Sequence, residues 1–120
     1  MTKMLKFSMT KYTDEIFEKM SNKNVCVILP LFNEEEVIEN IIIKLLDKNY
    51  EIVVIDDGST DNSLDVINKY PVNIIKHIFN LGQGAAIQTG IDFSRLNPNL
   101  DYFVTFDSDG QHQVEEIDKI

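Results

Sequence analysis

Tryptophan is absent from the 120 residues, and cysteine and arginine occur once each. The lone Cys26 lies in an apolar run. It excludes an internal disulfide framework and a thiolate metal cluster, and it suits a reducing compartment better than secretion. Positive charge is scarce: eleven Lys and Arg stand against twenty Asp and Glu, a net charge of −9. A nucleic acid partner is therefore excluded, because affinity for a phosphate backbone comes mainly from lysine and arginine. No stretch approaches the ~18 apolar residues of a membrane span, and the N-terminus lacks the continuous apolar core of a secretory signal. The expectation is a cytoplasmic chain without a transmembrane segment.

What is present is enough for one domain. The length falls in the usual range of about 100–150 residues, and with 43% apolar residues the chain can bury roughly two-thirds of its unfolded surface. Charge is unevenly placed. Residues 1–24 hold five lysines and three acids, whereas the remainder holds six bases and seventeen acids. The body is an acidic surface able to welcome divalent cations. In 1–24, Met9, Tyr12, Ile16, Phe17 and Met20 recur at helical spacing. This predicts a helical extension packed on the domain (25–120) or on a partner, with peripheral membrane contact as the alternative.

From Val25 onward, short apolar runs alternate with helical patterns, which predicts an α/β fold with a parallel sheet. Four strands are expected: Val25–Leu29, stopped by Pro30; Glu51–Ile55; Asn73 to about Phe79; and Tyr102–Phe106. Asn33 is a candidate N-cap for a first helix with apolar positions from Val37 to Leu46. Thr60 or Asp61 is a candidate cap for a second helix running to about Tyr70. A third helix carries Ala85, Ile87, Ile91 and Phe93, and a fourth is expected to begin near Val114. With strand order 3-2-1-4, the loops after the first, second and fourth strands meet at one crevice, where open parallel sheets bind ligands.

Those loops hold the candidate chemistry. Asp107 and Asp109, one residue apart at a strand end, can both reach a hard cation such as Mg2+ or Mn2+, with Gln111 continuing the alternation. The same four residues, Asp107 to Gly110, also read as a plain turn. Of Asp56 and Asp57, one can accept a hydrogen bond from a base N–H while the other braces the turn; a tight turn with a helix cap is the competing account. Phe32 can stack on a nucleobase or simply pack. His77 reads as a satisfied core or edge histidine, and His112 as a brace for the acidic turn. Gly82-Gln83-Gly84 is no dinucleotide fingerprint, because Ile87 stands where the third glycine belongs.

Taken in series, ILPLFNEEEVI, VVIDDGSTDNS, FNLGQGAAIQTGI and YFVTFDSDGQH resemble the motifs of family 2 glycosyltransferases, most nearly the polyprenyl-phosphate, dolichol-phosphate mannosyltransferase-like branch. The resemblance covers residues 24–120 and only the N-terminal half of a typical member. It implies a truncated, Rossmann-like three-layer nucleotide-diphospho-sugar transferase fold with a mostly parallel sheet. Pro30, Phe32 and Glu34 would line the nucleoside pocket, with Phe32 in place of a frequent tyrosine. Asp57 would read the base, with Ile55 nearby. Asp107, Ser108 and Asp109 would handle ribose and diphosphate, and Asp107, Asp109 and Gln111 would hold the metal.

The activity implied is metal-dependent transfer of a sugar from a UDP- or GDP-sugar to an acceptor such as a polyprenyl phosphate, at the inner face of the membrane. The catalytic base is expected beyond the chain end. The alternative is a nucleotide-sugar-binding module without turnover of its own. An exposed sheet edge after the fourth strand would favour self-association. A sugar-1-phosphate nucleotidyltransferase is disfavoured because the loop after strand one is acidic rather than glycine-rich and basic. A phospho-acceptor signalling domain is disfavoured because strand three ends in Phe79-Asn80 rather than an aspartate.

Overall fold

The computed structural model describes residues 3–8 and 24–107, with side chains placed for 24–106. Its centre is a five-stranded sheet: β1 (Lys3–Ser8), β2 (Val25–Leu31), β3 (Glu51–Asp57), β4 (Asn73–His77) and β5 (Tyr102–Asp107). The spatial order is β1-β5-β2-β3-β4, and every pairing is parallel. The predicted order of the four main strands holds, since β4-β3-β2-β5 is 3-2-1-4 in the sequence reading. Helices α1 (Ile38–Leu46), α2 (Ser63–Ile67) and α3 (Gln83–Ser94) form the crossovers.

β2 and β3 are apolar almost throughout because both their faces are covered. Val25, Val27, Leu29 and Leu31 of β2 join Ile52 and Val54 of β3 in one core with Ile38, Ile42 and Leu45 of α1 and Ile67 of α2. The alternate residues Cys26, Ile28, Val53 and Ile55 form the opposite core with Ala86 of α3. This is three-layer packing, with strand alternation dealing residues to two faces. Burial pushes the Cys26 thiol up to about 12, helped by the charge of Glu51, so this sulfur is a small hydrophobe and not a nucleophile. At Gly90 an added Cβ would overlap the Ile28 side chain, so glycine sets how closely α3 approaches the sheet.

Two expectations are corrected. Residues 3–8, assigned to a helical extension, form a strand paired in register with β5 from Lys3 opposite Tyr102 to Ser8 opposite Asp107. The helical spacing from Met9 to Met20 lies outside the described residues, as does the helix expected near Val114. Because β1 pairs β5 along all six of its residues, the edge after the fourth strand is covered, and β1 takes the end of the sheet on that side. The partner lies almost a hundred residues away in sequence, so local periodicity carried no sign of it.

The helices also start differently from their expected caps. α1 begins at Ile38, after a turn in which the N–H groups of Val37 and Ile38 donate to the Glu34 carbonyl. α2 ends at Ile67 rather than near Tyr70. Asn33 does not cap α1; it stands at φ +52°, in the left-handed region that asparagine tolerates, and turns its side chain elsewhere.

Candidate functional site

The C-terminal ends of β2 and β3 lie side by side, with Pro30 opposite Ile55 and Leu31 opposite Asp56. The loops that leave them are tied together by hydrogen bonds. Asn33 Oδ1 accepts from the N–H groups of Thr60 at 2.8 Å and Asp61 at 3.2 Å, while the Asn33 N–H donates to Ser59 Oγ at 3.0 Å. The Glu34 N–H donates to Ser63 Oγ at 2.9 Å, and the Glu35 N–H to Asp61 Oδ2 at 3.3 Å. Asp61 in turn accepts the N–H and the hydroxyl of Ser63 at the start of α2. Two loops about 26 residues apart in the chain therefore form one rigid rim, as the crevice rule anticipated.

Asp56 and Asp57, adjacent at the end of β3, point to opposite faces because side chains alternate along a strand. Asp56 is on the α1–α2 side, fully buried, and Oδ1 accepts the Ser59 N–H at 3.2 Å; Oδ2 has no partner among the described residues. This is the aspartate that braces the turn. Asp57 is on the α3 side and 3% exposed. Its Oδ1 accepts the Leu81 N–H at 2.9 Å and lies 2.8 Å from His77 Nδ1, and its Oδ2 accepts the Gly82 N–H at 2.8 Å. His77 Nε2 lies 2.8 Å from Thr89 Oγ1, whose hydroxyl donates to the Ala85 carbonyl at 3.0 Å. One carboxylate thus joins β3, β4, the loop after β4 and α3. A Cβ on Gly58, at φ +79°, would meet the Asn80 nitrogen at 2.8 Å, so only glycine lets the two loops pass so closely.

His77 is the satisfied histidine the sequence suggested, but its service to Asp57 was not foreseen. The signal that could have found it is the Asn80–Gly84 segment, which leads into a helix and so brings backbone N–H groups that need an acceptor. Burial raises the Asp57 carboxyl, but the Leu81 N–H, His77 and the Gly82 N–H together outweigh it and hold the group below the ordinary carboxylate range. Asp61 is likewise held low: burial opposes, and the Ser63 hydroxyl and N–H and the Glu35 N–H prevail. Depressed carboxyls contribute stability that is present above the unfolded value near 4 and lost as pH falls through the folded value. The midpoint of urea unfolding should therefore be flat from pH 7 to about 5 and fall below about 4. Asp57→Asn should flatten that fall; an unchanged acid slope in the variant would contradict the assignment.

Of the other candidates, Pro30, Phe32, Glu34, Ile55 and Asp107 lie at or near the same end of the sheet. Pro30 is buried in β2, Phe32 is 43% exposed on the rim, and Glu34 is half-buried beside it. Ile55 is wholly enclosed between the sheet and α3, so its side chain supports the floor of the site rather than lining it. Asp107 is the last residue of β5, two positions beyond the Thr105–Ile28 pair that aligns β5 with β2. Ser108, Asp109 and Gln111 lie outside the described residues. Among the described residues no group of three or more His, Cys, Asp or Glu could hold a metal ion. Beside the rim is a cleft of about 210 Å3 lined by Asn33, Glu34, Glu35, Glu36, Val37 and Asp61. Its acidic wall would repel a bare diphosphate.

Comparison with known proteins agrees with this architecture. The chain is 37% identical over 114 residues to an uncharacterized protein of Methanocaldococcus jannaschii, a match that takes in 93% of this chain and 46% of that protein. It is 34% identical to the UDP-N-acetylglucosamine–dolichyl-phosphate N-acetylglucosaminyltransferase of Methanococcus voltae, over 84% of this chain and 47% of the relative. It is also 34% identical to the undecaprenyl-phosphate 4-deoxy-4-formamido-L-arabinose transferase of Yersinia pestis, over 82% and 32%. The chain thus spans about a third to just under a half of the length of these relatives. Glucosyl-3-phosphoglycerate synthase from Mycobacterium tuberculosis, crystallised with Mn2+ and UDP, shares the fold at a TM-score of 0.53 and 23% identity, over 79% of this chain and 38% of that one. Residues 26–120 match the profile of glycosyl transferase family 2, and the chain belongs to that family.

Proposed function

We propose that the rim at the ends of β2, β3 and β5 binds the nucleoside diphosphate of a UDP- or GDP-sugar, and that the activity served is metal-dependent transfer of the sugar to a polyprenyl phosphate. The observation that carries this reading is the tying of the β2 and β3 loops into one rim, which holds Phe32 and Asp57 at the same end of adjacent strands. Phe32 supplies an exposed ring for stacking on the base, flanked by Pro30 and Glu34. Asp57 accepts a base N–H from below. Ser108 with Asp107 and Asp109 takes the ribose and diphosphate.

Two carboxylates and an amide oxygen, from Asp107, Asp109 and Gln111, are a donor set suited to Mg2+ or Mn2+, which usually shares substrate phosphates. When bound, such an ion supplies Lewis-acid stabilisation of the departing diphosphate. The residues of this chain hold the donor, stack its base and keep its orientation; no residue here is assigned as the base that deprotonates the acceptor. A lipid-linked acceptor implies contact with the inner face of the membrane. None of the described helices is long and apolar enough to cross it.

Calorimetry with UDP, GDP and their sugars, with and without Mn2+, tests the reading. Binding should require the metal and should weaken at least about tenfold in Asp109→Ala, the loss expected for one charged ligand to a cation-bridged phosphate. A folded chain that binds no nucleotide would overturn the proposal. Product formed from a polyprenyl phosphate acceptor would establish turnover by this chain, whereas binding without product would favour the pure binding module.

A further inference from the structure

We infer that the loop after β4 is a membrane-docking element, which lays the C-terminal end of the sheet on a lipid surface. The choice of lipid rests in part on the lipid-linked acceptor of the proposed function; the surface itself is read from exposure and charge. Ile78, Phe79 and Leu81 are 85%, 73% and 61% exposed, three large apolar side chains within four residues. The backbone beneath them is fixed. The Leu81 and Gly82 N–H groups donate to Asp57, and at Phe79 and Asn80 the chain passes so close to Gly58 that a Cβ there would collide with it. The loop is thus a rigid apolar prong, and ordering it on contact costs little.

Charge decides what this prong can meet. Residues 71–91, which take in β4, the loop and the first turns of α3, are the longest stretch without Asp or Glu in a sequence that holds twenty of them. An acidic side chain pressed against lipid phosphates would be both repelled and dehydrated, and this stretch brings none. Lys76, exposed on β4 two residues before Ile78, can lay its stem on the apolar surface and its ammonium among the phosphates. Size argues against a protein partner. At no more than about 250 Å2 each, the three side chains fall short of the ~800 Å2 that one partner gives to a stable protein interface. β4 is the outermost strand on its side, so the loop stands at a corner of the sheet, where a bilayer can reach it without a matching surface.

The chain has no tryptophan, so Phe79→Trp places a single fluorophore on the prong, and Leu96→Trp places one at an exposed apolar position after α3, outside the acid-free stretch. Each protein is mixed with phosphatidylcholine vesicles that carry no polyprenyl phosphate, and no nucleotide is added. Emission from position 79 should shift to the blue as lipid is added, and emission from position 96 should not. Binding should be weak and reversible, no tighter than the ~10⁴ M⁻¹ of a single myristoyl chain. In sedimentation with sucrose-loaded vesicles, Ile78→Ser combined with Phe79→Ser should lower it at least about tenfold. Both positions are exposed, and an unchanged thermal midpoint verifies that the double variant is folded. No shift at position 79, or equal shifts at 79 and 96, would overturn the inference. So would a dimer seen by light scattering without lipid and abolished in the double variant, because a second copy would then be the occupant. With no nucleotide or acceptor present, failure here leaves the nucleotide site standing; a chain that binds vesicles but neither UDP nor GDP would lose the proposed function and keep the docking surface.

Discussion

Replacing Asp57 with alanine should cost about 3–5 kcal/mol of folding stability, a large part of the ~5–15 kcal/mol a domain of this size possesses. The loss has an identifiable source. Three donors, the N–H groups of Leu81 and Gly82 and the imidazole of His77, converge on one carboxylate that is 3% exposed. Removing it leaves all three short of an acceptor, and a buried donor without a partner forfeits its desolvation as well as its bond. With roughly 3–6 °C per kcal/mol for about 120 residues, the midpoint of thermal unfolding should fall by at least about 10 °C. Asp57→Asn, which keeps one acceptor oxygen, should lose less. A fall of under about 3 °C for the alanine variant would mean that the carboxylate does not hold the loop after β4.

Gly90→Ala reverses an ordinary expectation. In an open helix the substitution gains up to about 1 kcal/mol, because alanine is the better helix former. Here the new Cβ overlaps the Ile28 side chain, with Cγ1 at 3.1 Å and Cβ at 3.2 Å also inside normal contact. α3 must then lift from the sheet or Ile28 must leave its rotamer, and overpacking of this kind costs about 1–3 kcal/mol. Ile28→Ala alone opens a cavity at a fully buried position, for about 2–5 kcal/mol. Combined, the two should cost at least about 1 kcal/mol less than their sum, because each relieves the other. Urea denaturation of the four proteins, with equal slopes, measures the coupling. Strict additivity would show that glycine is not what sets the distance between α3 and the sheet.

The strands and loops that frame the candidate site were legible in the sequence. Alternating apolar runs placed β2, β3, β4 and β5 within a few residues of where they lie. The crevice rule brought the first two polar loops together. The Asp56-Asp57 pair, ambiguous in sequence, divides as strand alternation requires: Asp56 takes the Ser59 N–H and Asp57 faces α3. Less legible was everything that depended on a remote partner. Asn33 looked like a helix cap because its type and place allow it, yet its side chain goes to the N–H groups of Thr60 and Asp61 instead. Those donors are nearby only after β2 and β3 have paired.

Composition and periodicity were enough to specify an α/β chain with a parallel sheet, because burial on both faces of a strand and one face of a helix writes itself into the order of apolar residues. The motif series was enough to name the family. Three features waited on long-range contact: the strand Lys3–Ser8, which exists as an element through its ladder with β5; the closeness of α3, set by Gly90 against Ile28; and the clamp on the Asp57 carboxylate, formed by His77 and the Leu81 and Gly82 N–H groups. Each is a relation between residues distant in sequence. Local pattern carries no information about such pairs, because the free energy that selects them appears only when the sheet has assembled.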